Sequence, residues 1–390
     1  MSSAAACVAP HLRCLRAAGF CRAPRRLHGA YRAAVLAVTG TYLLQECVYA
    51  YQNRSDMEEL ARVMFLLLCH VTSLAKQVVF AGNASRVEAL VASLARAGAD
   101  GADGAGVAGG AAGAARAAAA ALGAWFAGAA MLTCTLWLVF PLAARLQQHR
   151  VTFPFWLPGD AYAPPRFAAA LFYQFYVTSL VGIANTTMDA FIATVLYQCQ
   201  TQLHILRLNF KSVVERAEEI QSQTKEDLED VALRLFKDCV NHYHRIIETA
   251  NLLQEIFGLA ILINFGIGGW ILCMAVYKLV SVCMKIMLSI EFLSMLMFIC
   301  CILFELFLYC YYGNEVTVES ARLAEGVAAS AWRGGRRRRL ARAVLLTLLR
   351  AGRPLRPAAT RLVPLTLHTF LKILKSSYTF YAVLRQTKDT

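Results

Sequence analysis

Long apolar stretches constrain the fold of this chain more than any other feature. A helix needs about 20 apolar residues to cross the hydrocarbon core of a bilayer. Six stretches approach or exceed that length, at 33–50, 60–80, 117–142, 167–197, 256–282 and 284–311, and a seventh follows at 364–384. Of the 390 residues, 58% are hydrophobic and only 16% charged, which is rare in a soluble domain because its surface must be polar. We therefore predict an all-α membrane protein with seven transmembrane helices.

One junction decides the number of spans. Only a short stretch, 281–285, interrupts the apolar region between the fifth and sixth spans. A merged or re-entrant arrangement at that point would reduce the count to six.

The last of the seven stretches is too polar to face lipid. At helical spacing, polar and apolar residues separate onto two faces. One face carries Lys372, Ser376, Thr379, Val383 and Gln386, and the other carries Leu367, Phe370, Leu374, Tyr381 and Leu384. A spanning helix with one polar side suits the wall of a pore.

The net charge of +14 is concentrated in two basic regions. Six arginines precede Glu46, the first acidic residue, and a second block of arginines at 333 and 336–339 lies between the sixth and seventh spans. If the chain crosses the membrane seven times, both basic regions lie on the same side of it. The positive-inside rule identifies that side as the cytosol. We expect a cytosolic N-terminus and an extracellular C-terminus. Nucleic-acid binding by the run 336–339 is less favoured than a juxtamembrane role.

The same basic N-terminus, free of acidic residues, also resembles a mitochondrial transit peptide. Glycosylation distinguishes that alternative from the topology above. The sequence Asn53-Arg54-Ser55 follows the first span, on the side that we expect to be extracellular, so Asn53 is a candidate glycosylation site.

Amphipathic segments flank the later spans. Residues 200–255 mix apolar and charged side chains at helical spacing, which predicts that the fourth and fifth spans continue as helices into the cytosol. The predicted organisation is a cytosolic N-terminal segment at 1–32, six spans within 33–312, a cytosolic anchor region at 313–361, and a pore-lining helix with a short tail at 362–390.

No arrangement of residues in the sequence supports catalysis, so we expect neither an enzyme nor a cofactor. His242 and His244 are two residues apart and cannot share one helix face as zinc ligands do, so we expect no metal site and a solvated surface there. Ionisable residues within the spans are rare and costly. For Asp189 and Glu305, two roles remain open, a structural salt bridge and a place in a pore or vestibule. Glu46 lies near the end of a span, where its side chain could reach the membrane surface by snorkelling.

Aromatic and apolar residues in the outer halves of the second to sixth spans suit a small, mostly hydrophobic ligand. Each of them also fits ordinary helix packing. The candidate ligand-binding residues are Phe65, Leu68, Trp137, Phe140, Phe172, Tyr173, Tyr176, Trp270, Met274, Tyr277 and Met297.

Several segments resemble a known family. The stretch from Pro364 to Gln386, with its Lys375-Ser-Ser-Tyr-Thr-Phe380 core, looks like the C-terminal signature of insect odorant receptors. The segments Cys310-Tyr-Tyr-Gly-Asn-Glu315 and Phe153-Pro-Phe-Trp-Leu-Pro-Gly-Asp160 are also similar to that family. The resemblance covers the whole chain loosely and the last eighty or so residues specifically.

The resemblance implies a tetrameric, non-selective cation channel in the plasma membrane of olfactory neurons, opened by a small volatile odorant. The seventh helix of each subunit would line the pore. By position, Val383 and Leu384 would lie near the outer gate and Gln386 near the filter, with Ser376 and Thr379 on the same helix. The long cytosolic insertion that marks the shared co-receptor is missing between the fourth and fifth spans. The chain therefore resembles a ligand-tuning subunit that would assemble with the co-receptor.

Two further receptor classes share a seven-span plan. A gustatory receptor-type channel has the same architecture, but the Lys375-Ser-Ser-Tyr-Thr-Phe380 segment favours the odorant branch. A G-protein-coupled receptor would carry Asp-Arg-Tyr after the third span and Asn-Pro-x-x-Tyr in the seventh. Neither motif is present at those places, and the charge distribution gives the opposite orientation.

Overall fold

The structure is a computed structural model that describes residues 3–19, 28–102, 107–146, 153–157, 164–283, 290–332 and 338–389. Two features singled out from the sequence are affected by these limits. Residues 284–289 of the junction between the fifth and sixth spans and residues 333–337 of the second basic region lie outside the described part of the chain, whereas 281–283 and 338–339 are described.

The described residues form eleven helices and one short hairpin. The helices are α1 Ser3–Ala17, α2 His28–Gln52, α3 Met57–Gly82, α4 Ala84–Ala102, α5 Val107–Leu146, α6 Pro164–Lys211, α7 Val213–Thr224, α8 Leu228–Cys283, α9 Ile290–Trp332, α10 Arg338–Ala351 and α11 Leu367–Asp389. The prediction of an all-α membrane protein is confirmed.

Within the described part of the chain, six helices are long and apolar enough to cross a membrane, namely α2, α3, α5, α6, α8 and α9. Helices α8 and α9 pack against each other, and the residues that join them, where the merged or re-entrant alternative applies, lie outside the described part of the chain. The predicted final span corresponds to α11, which is not among the six because its composition is too polar. Helices α6 and α8 also run well beyond their apolar centres, as the pattern at 200–255 predicts.

Helix α6 forms the centre of the bundle. Its residues from Ala184 to Leu196 are all buried, and it packs against α3, α5, α8 and α9. A mostly apolar helix with no charged outer face is stable only when it is surrounded by other elements. The placement of α6 therefore follows from its composition.

The N-terminal helix α1 packs into the bundle against α4, α5 and α6. Cys7, Val8 and Leu15 are buried along one side of it. His11 is also buried, and its Nε2 lies 3.2 Å from the Thr194 hydroxyl of α6. The His11 ring occupies the space beside Gly123 of α5, where an added Cβ would lie 2.7 Å from the ring. A glycine at 123 is what lets α1 approach α5 so closely.

A hairpin absent from the sequence prediction precedes α11. Strand β1 (Ala358–Ala359) pairs antiparallel with β2 (Val363–Pro364), and the turn between them includes Thr360 and Arg361 with positive φ. The segment is fixed to α9 at two points. The Leu355 amide donates to the Ser320 hydroxyl at 2.8 Å, and Gly313 packs so closely on Leu365 that an added Cβ would overlap the Leu365 Cβ. The start of α11 is thereby held against α9.

The expectation of a solvated surface at His242 is wrong. His242 is buried, and its Nε2 lies 3.1 Å from the Gln202 side-chain oxygen of α6, whereas His244 is exposed. The two residues face opposite ways because residues two apart on a helix lie on different sides. Burial of His242 follows from the packing of α8 on α6, which the local pattern does not reveal.

Candidate ligand cavity and pore helix

A cavity of about 80 Å³ lies among α3, α5, α6 and α9. Its lining is mostly apolar and includes Leu66 of α3, Phe126 and Trp137 of α5, and Phe298 and Ile302 of α9. A concave, apolar site with a few polar groups between helices of a bundle is the usual form of a small-molecule site.

Aromatic rings form one wall of the cavity. The Trp137 and Phe298 ring centroids are 5.6 Å apart. Phe65 packs against both, at 6.2 Å from Trp137 and 5.2 Å from Phe298. Such tilted pairs hold each ring in a defined orientation. The position of Trp137 in the cavity therefore depends on Phe65, which is buried next to it.

A buried charge network forms the opposite, polar wall. Glu305 of α9 and Asn185 of α6 line the cavity. Behind them, the Lys76 Nζ of α3 donates to Glu305 at 2.5 Å, to Asp189 at 2.6 Å and to Asn185 at 3.1 Å. Buried charges are tolerated only when they are paired and hydrogen-bonded. Asp189 and Glu305 therefore form the structural salt bridge that was one of the two roles considered for them from the sequence.

The network reaches two further residues. Asn264 of α8 donates to Glu305 at 2.8 Å, and the Tyr309 hydroxyl of α9 donates to Asp189. The polar wall of the cavity thus joins α3, α6, α8 and α9. Removing Lys76 would leave both carboxylates without their shared cation inside the bundle.

A second buried pair lies at the cavity edge. His70, which lines the cavity, has its Nδ1 2.8 Å from a Glu46 carboxylate oxygen of α2. Glu46 is fully buried, so the expectation that it snorkels to the membrane surface is wrong. Packing of α2 on α3 encloses the carboxylate and supplies His70 as its partner.

The structure brings only part of the predicted ligand-binding set to the cavity. Trp137 lines it, Phe65 packs behind Trp137, and Leu68 packs on the adjoining core. The side chain of Phe140 lies outside the described residues. Other members face different surroundings. Phe172 and Tyr176 stack on each other on an exposed face, and Tyr173 contacts Tyr42 and Phe155. Met274, Tyr277 and Met297 are half-buried and do not line the cavity.

Trp270 contacts the last helix instead of the cavity. Its indole stacks on Phe380 of α11, with 4.8 Å between ring centroids and 16° between planes. The adjacent Gly269 also faces α11, because a Cβ added there would make an ordinary contact of 3.5 Å with the Ser377 hydroxyl oxygen. Helix α9 contributes a parallel contact, because the Phe307 and Phe370 centroids are 5.7 Å apart.

Sequence reasoning missed most of the cavity lining. Thr178, Gly182, Asn185 and Thr186 lie on one face of α6 and all line the cavity. Small and polar residues on one face of an otherwise apolar span are a recognisable signal. The aromatic residues of α6 are more conspicuous in the sequence, but they face away from the cavity. Among the described residues, no group of three potential metal ligands occurs.

Helix α11 exposes one long face. The residues of its predicted polar side, Lys372, Ser376, Thr379, Val383 and Gln386, are all exposed in the isolated chain, whereas the side chain of Leu384 lies outside the described residues. Phe370, Ile373 and Leu374 pack on the core instead. Asn53, the candidate glycosylation site, lies in the turn between α2 and α3 and donates to the Tyr49 carbonyl at 2.9 Å.

Comparison with known proteins identifies the family to which this chain belongs. The family model described as 7tm Odorant receptor matches residues 56–378. Putative odorant receptor 92a of Drosophila melanogaster is 24% identical over 217 residues, which cover 54% of this chain and 50% of that protein. Odorant receptor Or1 of Anopheles gambiae is 22% identical over 367 residues, 89% of this chain and 86% of that protein. The chain thus spans about half the length of the first relative and most of the second.

Solved structures show the same fold. The insect olfactory receptor OR5 from Machilis hrabei, in complex with eugenol, superposes with a TM-score of 0.79 over 97% of both chains at 15% sequence identity. A further structure of that receptor gives a TM-score of 0.77 over the same shares of the two chains. Since the family match covers most of the sequence and the fold agrees with it, this chain belongs to the odorant receptor family.

Proposed function

We propose that the chain is the ligand-tuning subunit of an odorant-gated cation channel in the plasma membrane of olfactory neurons. In this proposal the cavity among α3, α5, α6 and α9 binds a small volatile odorant, α11 lines the pore, and the shared co-receptor supplies the other subunits of a heterotetramer. The N-terminus is cytosolic and the C-terminus extracellular. The contact between cavity-lining helices and α11 is the observation that carries the proposal.

The size of the cavity supports a gating role for the ligand. Its volume of about 80 Å³ is smaller than the roughly 150 Å³ of an engineered cavity that admits benzene. An odorant of that size therefore has to displace side chains of the wall, such as Trp137 or Phe298. Because a packed interior transmits such a displacement, ligand binding favours a different arrangement of α5 and α9.

Two routes connect the cavity to α11. In the first, Glu305 of the polar wall binds Asn264 of α8, and further along α8 the Trp270 indole stacks on Phe380. In the second, α9 itself carries Glu305 on the cavity side and Phe307 against Phe370 of α11. A shift of α8 or α9 on ligand binding therefore acts directly on the last helix.

Exposed apolar residues support assembly into an oligomer. Leu345, Leu346 and Leu349 of α10 are all more than 60% exposed, and Leu362 of the hairpin turn is 75% exposed. Clusters of exposed large apolar side chains outside the membrane mark interaction sites. We assign this surface, whose α10 residues lie in the predicted anchor region 313–361 and whose Leu362 follows it directly, to contacts between subunits.

The ligand of the related receptor also fits the proposal. The Machilis hrabei receptor was solved with eugenol, a small aromatic molecule. The aromatic wall around Trp137 and Phe298 suits a ligand of that general kind. Which odorant this chain binds is an experimental question that a response panel answers.

Co-expression tests the proposal. The chain is expressed with the co-receptor, and odorant-evoked currents are recorded without added nucleotide or G protein. We expect currents that persist when G-protein signalling is blocked. Changes at Val383 or Gln386 should alter ion selectivity, whereas a change at Trp137 should alter the ranking of odorants. A response abolished by blocking G-protein signalling would contradict the channel.

A coupling variant adds a sharper test. Trp270→Ala removes the stack on Phe380 but leaves the cavity lining intact. We expect a lower maximal current with an unchanged order of odorant potencies. The matched control is Phe172→Ala, because Phe172 is an exposed aromatic residue that does not contact α11. Equal effects of the two variants on maximal current would refute the coupling route through Trp270.

A further inference from the structure

Polar side chains that line the cavity already donate their hydrogen-bond protons to other groups of the protein. Thr133, Thr178 and Thr186 all line the cavity, and each hydroxyl donates to the carbonyl four residues earlier, at 2.9, 2.8 and 2.9 Å. A hydroxyl that has donated its proton retains only lone pairs. Towards a ligand, these three threonines are therefore acceptors.

The amide and carboxylate of the polar wall have the same character. The Asn185 amide nitrogen donates to Asp189 at 3.1 Å and to Glu305 at 3.5 Å, which uses both of its protons. The Glu305 Oε1 accepts from Lys76 and Asn264, while its Oε2 has only the long contact from Asn185. A carboxylate oxygen can accept two hydrogen bonds. Glu305 therefore retains acceptor capacity at the cavity.

His70 also lines the cavity, but one of its ring nitrogens is already engaged. Its Nδ1 lies 2.8 Å from the Glu46 carboxylate, so that nitrogen is not available to a ligand.

Two kinds of donor also line the cavity and must be weighed. The indole N–H of Trp137 belongs to the aromatic wall, where the ring packs on Phe65 and Phe298. The cysteine thiols of the lining are weak donors. Along the polar wall, acceptors therefore predominate among the described residues.

We propose that this cavity selects ligands that carry a hydrogen-bond donor, an alcohol or phenol O–H, over carbonyl compounds and ethers of the same shape. The proposal rests on the proposed function, in which the cavity is the odorant site. A hydroxyl ligand donates to the lone pairs of the polar wall. A carbonyl or ether oxygen brings further lone pairs to the same wall and loses its hydrogen bonds to water, which is costly in a buried site. The expected difference in affinity is roughly tenfold.

Matched ligand pairs test the proposal. The probes are benzyl alcohol with benzaldehyde, phenol with anisole, and hexan-1-ol with hexanal. Binding to the purified full chain with its co-receptor is measured from the ligand-dependent rise in melting temperature, and currents are recorded separately. In each pair we expect half-saturation at roughly tenfold lower concentration for the hydroxyl compound. Equal or tighter binding of the carbonyl and ether members would overturn the proposal.

Two variants locate the selection within the cavity. Thr186→Val removes one acceptor without changing the side-chain shape, so we expect weaker hydroxyl binding and unchanged carbonyl binding. Trp137→Phe removes the indole donor, and the preference for hydroxyl compounds should persist. Loss of the preference in Trp137→Phe, with no effect of Thr186→Val, would overturn the assignment to the polar wall.

The binding readout separates this inference from the proposed function. Hydroxyl-selective binding without evoked currents would uphold the inference and contradict the channel. Currents evoked by both members of each pair at equal concentrations, with equal binding, would uphold the channel and contradict the inference. A failure of all six probes to bind would overturn the inference by removing the cavity as the ligand site.

Discussion

Substitution of Lys76 by methionine tests the buried charge network most directly. The Lys76 side chain is 2% exposed and donates to Asp189, Glu305 and Asn185. Methionine keeps most of the volume but removes the cation, which leaves two neighbouring carboxylates without their shared partner. Removing one partner of a buried ion pair costs about 3–5 kcal/mol. We expect Lys76→Met to destabilise the chain by an amount in that range.

The matched control is an ion pair of similar length on the surface. Arg86 and Glu255 are 2.6 Å apart, the same distance as Lys76 and Asp189, but their side chains are 44% and 53% exposed. Exposed pairs contribute about 0–1 kcal/mol because water screens them. Arg86→Met should therefore have little effect, although the distance between the charged groups is the same.

Thermal unfolding of the purified protein in detergent measures the difference. With an unfolding entropy of about 2.1 cal/mol/K per residue, a loss of 3–5 kcal/mol in a chain of this length lowers the melting temperature by roughly 4–6 °C. Arg86→Met should lower it by about 1 °C or less. The neutral triple variant Lys76→Met, Asp189→Asn, Glu305→Gln should recover most of the loss, because no unpaired charge remains. A Lys76→Met shift no larger than that of Arg86→Met would refute the reasoning.

Three further outcomes are expected. Gly313→Ala should destabilise the chain by about 1–3 kcal/mol, since the added methyl group meets the segment before α11. The control Gly266→Ala should not destabilise it, because no neighbour lies within 4 Å of the added Cβ. Equal melting temperatures of the two variants would argue against close packing at Gly313. Gly123→Ala should weaken the docking of α1 on α5 and raise proteolysis within α1. Adding His11→Ala to that variant should reverse the effect, because the ring no longer occupies the space beside residue 123. A digestion pattern unchanged by Gly123→Ala would count against the contact. Asn53→Gln should abolish a glycosidase-sensitive mobility shift of the full chain, and a shift that persists would reject Asn53 as the glycan site.

Local composition was sufficient to predict the long apolar helices of this protein. Length and hydropathy predict the six apolar spans, and the helical period of the last stretch separates its polar face from the residues that pack on the core. The surface extensions of α6 and α8 also follow from amphipathic spacing. These features depend on residues close together in the chain, so a single sequence contains the information needed.

The cavity was less accessible to the same reasoning. Its polar wall combines Lys76, Asp189 and Glu305 from three helices, with more than 100 residues between the first and second. Which intramembrane charges pair depends on the rotation of each helix about its axis, and that rotation is set by packing. The hairpin at 358–364 was missed for a different reason, because its strands have two residues each and its prolines indicate only that the preceding helix ends.

The tight contact between Gly313 and Leu365 also determines how α11 can move. Leu365 is buried against α9, and α11 begins two residues later, with the Thr366 side chain accepting from the Thr369 amide at the first turn. That end is therefore a pivot. Helix α11 has 23 residues, and at 1.5 Å per residue a tilt of about 5° about this pivot moves the far end by ~3 Å. In the proposed channel, a ligand-driven movement of α9 would therefore become lateral travel at the end that carries Val383 and Gln386, while the first turn stays in place.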